Sequence, residues 1–95
     1  MRFEWDEAKR KANLRKHGVD FAGAASVFKG LTVTVLDTRY DYEEDRFISF
    51  GVLDGHVVAV AHTECDEVIR IISMRRATRN EEEQYFEKIP RPQED

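Results

Sequence analysis

The stretch Val68 to Arg79, VIRIISMRRATR, limits what this chain can fold into more than any other, because it dictates a strand and a helix start in quick succession. Val68, Ile69, Ile71 and Ile72 are β-branched, which suits a pleated, half-buried surface better than a helix. A strand over Val68 to Met74 is therefore predicted, apolar on both faces as in the middle of a sheet. Strict alternation sends Ile69, Ile71, Ser73 and Arg75 to one face, and Val68, Arg70, Ile72, Met74 and Arg76 to the other. Arg75 and Arg76 share a face only if a bulge intervenes. Immediately afterwards, Thr78 and Glu81 have the T-x-x-E spacing of a capping box, in which hydroxyl and carboxylate each satisfy an orphan N–H at a helix start. That predicts a helix from about Arg79 to Lys88, with Glu81, Glu82 and Glu83 as solvated acids matched to the positive end of its dipole.

The same stretch is the best candidate functional surface. It holds four arginines and no acid, in a chain of formal net charge -4. Guanidinium is planar, always charged, and shaped for bidentate recognition of phosphate or carboxylate. For Arg70, set among apolar neighbours, two readings stay open: a structural ion pair or a ligand-facing cation. Charge is segregated along the chain, with residues 1–29 at +3, 30–67 at -7, 68–79 at +4 and 80–95 at -4. A basic binding face can thus sit on an acidic body, and the acidic surface suits a basic partner.

Ninety-five residues make one domain. It is expected over residues 1–89, with 90–95 a frayed tail because Pro90 and Pro92 end any helix. At 41% hydrophobic and 36% charged, the composition is that of a folded soluble protein. No apolar run approaches the roughly 20 residues needed to span a bilayer, and no export signal opens the chain, so a cytoplasmic location is expected. The lone Cys65 lies between acids that disfavour its thiolate, so it reads as a turn residue and not a nucleophile. One Cys with His17, His56 and His62 shows neither C-x-x-C nor H-E-x-x-H spacing, so neither a metal site nor a cofactor is expected.

Met1 to Trp5 reads as a short strand. Asp6 caps a helix through His17, with Gly18 at its left-handed end. Arg15, Lys16 and His17 fall in the last turn, where they either complement the dipole or serve as phosphate and proton-transfer groups. Asp20 caps a second helix whose core stripe is Phe21, Ala24, Ala25 and Phe28. Gly30 breaks it. Strands follow at Leu31–Leu36, Arg46–Val52 and His56–Thr63, with an acidic loop at Asp37–Asp45 and a hairpin at Asp54-Gly55. With the arginine strand they form a meander. The expected class is α+β in the order β-α-α-β-β-β-β-α, with the helices on one sheet face and the other left open as the natural site.

Two separated motifs in this chain resemble one family. The first, W-D-x-x-K-x-x-x-N-x-x-K-H-G-[IV]-x-F-x-x-A, runs through Trp5, Asp6, Lys9, Asn13, Lys16, His17, Gly18, Val19, Phe21 and Ala24. The second, R-I-I-S-x-R-x-A, runs through Arg70, Ile71, Ile72, Ser73, Arg75 and Ala77. Over about residues 1–88 the chain is similar to BrnT, the toxin of a type II toxin–antitoxin system. The resemblance implies a RelE-like fold with an antiparallel sheet, and a metal-independent endoribonuclease that stops translation. It also implies neutralisation by a BrnA antitoxin, whose ribbon-helix-helix dimer would give a 2:2 complex, bind operator DNA and let the pair repress its own operon. Met74 departs from the Ala common at that position, and a larger side chain there is expected to alter the groove.

Such cleavage needs a base for the ribose 2′-OH, cations for the crowded phosphate and an acid for the leaving 5′-oxygen. On the implied chemistry, Arg46, Arg70, Arg75 and Arg79 are the candidates for phosphate stabilisation and His17 for acid–base catalysis. Lys16 and Arg76 are candidate RNA contacts, and Tyr85 either stacks a base or packs in the core. A competing class is a non-catalytic module whose arginines grip RNA or an acidic protein. A third makes the arginines structural.

Overall fold

Element boundaries fall where side chains can satisfy orphan backbone groups. In a computed structural model, which describes residues 1–39 and 43–89, the chain forms β1 (Arg2–Glu4), α1 (Glu7–His17), a 3-10 turn (Phe21–Gly23) and α2 (Ala24–Lys29). It continues with β2 (Val33–Leu36), β3 (Phe47–Leu53), β4 (His56–Cys65), β5 (Val68–Arg76) and α3 (Arg79–Lys88). Asp6 accepts from the Lys9 amide at 3.0 Å, and Gly18 closes α1 at φ 71, a left-handed conformation that a Cβ would strain. Both bonds of the Thr78/Glu81 capping box are made. The β3–β4 hairpin turns on Asp54 (φ 50) and Gly55 (φ 80), as a primed turn requires. The expected tail and the tyrosines of the acidic loop lie outside the described residues.

The second helix differs from expectation. Asp20 caps it through the Ala22 amide, but its first turn is 3-10, so its buried residues, Phe21, Ala24 and Val27, are spaced by three. Ala25 is exposed and Phe28 half-buried.

The sheet order is β1-β5-β4-β3-β2. It is mixed and not purely antiparallel, because β1 runs parallel to β5, with Phe3 opposite Ile69. That pairing covers the outer edge of β5, which unpaired would expose a row of backbone donors and acceptors. β1 stops at Glu4, and the Asn13 side chain continues its work. Its amide donates to the Met74 carbonyl at 2.7 Å and the Val19 carbonyl at 3.0 Å, and its Oδ1 accepts from the Met74 N–H at 3.3 Å. A buried side chain on α1 thus acts as one residue of a neighbouring strand.

Strict alternation fails in β5. Ala61 pairs with Ser73 but the next residue, His62, pairs with Ile71, so Ile72 is the extra residue of a β-bulge. Ile69, Ile71 and Met74 consequently face α1 and α2, while Arg70, Ser73 and Arg75 face the opposite way. The first face carries the core, where Phe21, Val27, Val58, Val60, Ile69, Ile71 and Met74 are at most 2% exposed. Met74 therefore lines no groove, and its bulk fills the interior. Gly51 lets α2 approach β3, since a Cβ there would lie 2.7 Å from Val27 Cγ1.

The opposite face is not left open as expected. Val57 and Ala59 point away from α1 and α2, yet both are 3% exposed. Their apolar surface has to be covered, and α3 reaches across toward β2, where the Tyr85 hydroxyl donates to the Leu31 carbonyl at 2.8 Å. Ile48, Ala61 and Ser73 stay half-buried, marking the part of this face that is less covered.

One polar chain crosses the interior. Thr34 Oγ1 meets Ser49 Oγ at 2.7 Å, and Ser49 Oγ meets His62 Nε2 at 2.7 Å. His62 is fully buried, edge-on to Phe28 and stacked on Phe47. Burial lowers its pKa, outweighing the half-exposed Glu64 carboxylate 3.6 Å from Nδ1.

Candidate functional site: the arginine face and the end of α1

The bulge decides which arginines can act together. Arg70 pairs with Thr63 and Arg75 with Ala59, so both lie on the α3 side of the sheet, roughly 13 Å apart along β4. Arg46 immediately precedes β3. Because Phe47 pairs with His62, one step back sets Arg46 beside Thr63. Arg46 and Arg70 therefore flank Thr63, about 10 Å apart across two strand spacings. The Arg46 carbonyl also accepts from the Asp37 amide at 2.7 Å, which extends the β2–β3 ladder.

These guanidinium groups differ in how firmly they are held. Arg70 makes one contact to Glu4, at 3.2 Å, with both side chains about half exposed (48% and 53%). Such a pair contributes about 0–1 kcal/mol and a polyanion can displace it. Arg75 is gripped at both ends by Glu81, at 2.7 and 3.0 Å. Glu81 also accepts from the Thr78 amide, and Arg75 first, with Thr78 helping, holds its carboxyl down at about 2. Arg79 is 95% exposed and lies 3.7 Å from Glu83.

The remaining candidates gather on the other side. Arg76 pairs with Val58 on the face of α1 and α2, and its Nη2 donates to His56 Nδ1 at 2.9 Å. Since Asn13 is tied to Met74, α1 runs alongside β5 toward Arg76. His17, one turn beyond Asn13, therefore lies toward the end of β5, exposed together with Lys16. So Arg46 and Arg70 flank Thr63 on one face, Arg76 and the last turn of α1 lie on the other, and Arg75 and Arg79 occupy the β5–α3 junction between them. His17 does not join Arg46 and Arg70. Tyr85, 4% exposed with its hydroxyl engaged, packs and offers no ring face for a base to stack on.

Sequence reasoning missed the partners Glu4 and Glu81 and the flanked Thr63. Only Glu81 carried a signal, its capping position six residues after Arg75. Among the described residues, no group of three or more His, Cys, Asp or Glu side chains can hold a metal ion, and no helix is long and apolar enough to cross a membrane. Cys65 is exposed, and Asp66 raises its pKa. What the arrangement offers chemically is fixed positive charge and N–H donors of the kind that bind oxyanions such as phosphate or carboxylate.

Residues 5–81, well over half of the chain, match the family described as ribonuclease toxin, BrnT, of type II toxin-antitoxin system. No curated protein matches the chain.

Proposed function

The chain belongs to the BrnT family of ribonuclease toxins of type II toxin–antitoxin systems, and on that premise we propose that it is a metal-independent endoribonuclease of RelE-like architecture that cleaves RNA and stops translation. The ribose 2′-oxygen attacks the adjacent phosphorus as a base takes its proton. The bond to the 5′-oxygen breaks as an acid protonates the leaving group. Arg75 and Arg79 stabilise the crowded phosphate at the β5–α3 junction, His17 transfers protons from the end of α1, and Arg46 and Arg70 hold the flanking backbone. Lys16 and Arg76 add RNA contacts. The observation that carries this reading is the Ile72 bulge, which puts Arg70 and Arg75 on one face.

The partner is a BrnA-like antitoxin whose ribbon-helix-helix dimer binds two toxin copies and carries them to operator DNA, so that the complex represses its own operon. The net -7 of residues 30–67 suits a basic segment of that partner.

The test is RNA incubated with the pure chain in excess chelator. Cleavage is expected, falling at least 100-fold in Arg79→Ala and less in Arg70→Ala, whose exposed ion pairs leave melting nearly unchanged. One observation favours a second reading, in which the arginines are structural: Arg70, Arg75 and Arg79 each already meet a carboxylate. Substitutions that lower the melting temperature and leave cleavage per folded molecule unchanged would select it. Intact RNA despite tight binding would instead select a non-catalytic binding module.

A further inference from the structure

Between the end of α1 and the β3–β4 hairpin lies a pocket of about 510 Å³, a volume typical of small-molecule sites. Its walls are apolar: Leu14, Val19, Leu53 and Val58. Its polar side chains are Asp54 and His56 of the hairpin, Arg76 at the end of β5, and Asp20. Arg76 can only donate, so His56 Nδ1 is the acceptor of their 2.9 Å bond, and a neutral His56 presents its Nε2–H as a donor. Of the two lining carboxylates, Asp20 is already taken by Arg10 and the Ala22 amide. Asp54, at the tip of the hairpin, has no hydrogen-bonded partner among the described residues and is an open acceptor.

This combination fits one ligand chemistry. A flat heteroaromatic base has apolar faces for the Leu and Val walls, and a polar edge that needs both a donor and an acceptor. A phosphate attached to it needs the remaining N–H groups of Arg76. Gly18, which also lines the pocket, directly follows the basic last turn of α1, Arg15, Lys16 and His17, so cationic residues adjoin this side of the pocket in sequence.

We propose that this pocket binds one nucleotide unit of an RNA strand, with the base between Leu14, Leu53 and Val58, its edge on Asp54 and His56, and its phosphate on Arg76. That the nucleotide belongs to a cleaved strand rests on the ribonuclease reading. That the pocket takes a nucleotide does not. It lies on the opposite side of the sheet from Arg46 and Arg70, so it selects the base near His17 and leaves phosphate neutralisation to the arginine face.

The isotope-labelled full chain is titrated by NMR with AMP, GMP, CMP and UMP in turn, and with inorganic phosphate alone. At least one nucleotide is expected to shift the Gly18, Gly55 and Val58 amides saturably. Its Kd rises at least tenfold in Arg76→Ala and severalfold in Asp54→Asn, while Arg2→Ala, a cation on the far edge strand, leaves it unchanged. Because Asp54→Asn sits in an exposed turn that asparagine tolerates, it keeps the test valid should Arg76→Ala fold poorly. The proposal is overturned if no nucleotide saturates these amides, if phosphate alone reproduces the shifts, or if both variants bind as the parent does. Pocket amides that respond only to added antitoxin would assign the pocket to a protein partner and overturn it equally. Cleavage of RNA in chelator without nucleotide binding would remove this pocket and leave the ribonuclease reading standing. Nucleotide binding with intact RNA would do the reverse.

Discussion

The two faces of the sheet are assembled by different forces. Under α1 and α2 lies a dry core of Phe21, Val27, Ile69, Ile71 and Met74, whose stability scales with the apolar area removed from water. Under α3 the contacts are fewer and more polar: one aromatic anchor, a capping box and a bidentate ion pair. The first face sets whether the chain folds. The second face, where Arg70 and Arg75 lie, can adjust its charges at little cost to the fold, because its pairs are partly exposed and screened.

Cutting into the core should show the contrast most strongly. Phe21→Ala is expected to cost about 4 kcal/mol in denaturant unfolding, as transfer and cavity terms add. A loss below about 2 kcal/mol would mean that the first face is not the dominant store of stability. Next comes the hinge between helix and sheet. Asn13→Ala strands the Met74 N–H and C=O at a cost of about 2 kcal/mol, and hydrogen exchange at the Met74 amide should accelerate before exchange at Val60 does.

Acid distinguishes the faces. His62, in the core, has a folded pKa below 6.5. The unfolded chain therefore takes up its proton first, and this contribution to stability is lost as pH falls below 6.5. Glu81, under α3, is held at about 2 against 4.5, so its contribution is complete above 4.5 and is lost as pH falls from there toward 2. Glu81→Gln should remove about 1 kcal/mol at pH 7, allowing for solvent screening. It should flatten only the lower window of a stability-against-pH curve. If the upper window flattened instead, the two faces would be coupled. The smallest effect is expected from Tyr85→Phe, which deletes the bond to Leu31 for about 0.5–1 kcal/mol and should loosen α3 with no change at the core, as read from exchange along α3.

Much of this was legible because it is written in local chemistry. Asp6, Gly18, Thr78 with Glu81, and Asp54-Gly55 each act within a few residues, and each does what its type demands. What was not legible depends on residues far apart in the chain. Nothing local marks Ile72 as a bulge, so strict alternation assigns the wrong faces beyond it and sets Met74 at a groove, whereas it belongs to the core. The parallel pairing of β1 with β5 joins residues some 66 apart, and the placement of α3 follows from apolar Val57 and Ala59 on a different strand. At the candidate site, the arginines were visible as residue types. Their carboxylate partners and their division between two faces were consequences of the register.

The Asn13 amide also has a bearing on self-association. With a three-residue β1 and that amide blocking the β5 side, the sheet offers, among the described residues, one substantial free rim, at β2. Growth of a strand-to-strand polymer needs two such rims on every copy, so contact through β2 would end at a pair, and crowding this chain should give dimers before fibrils.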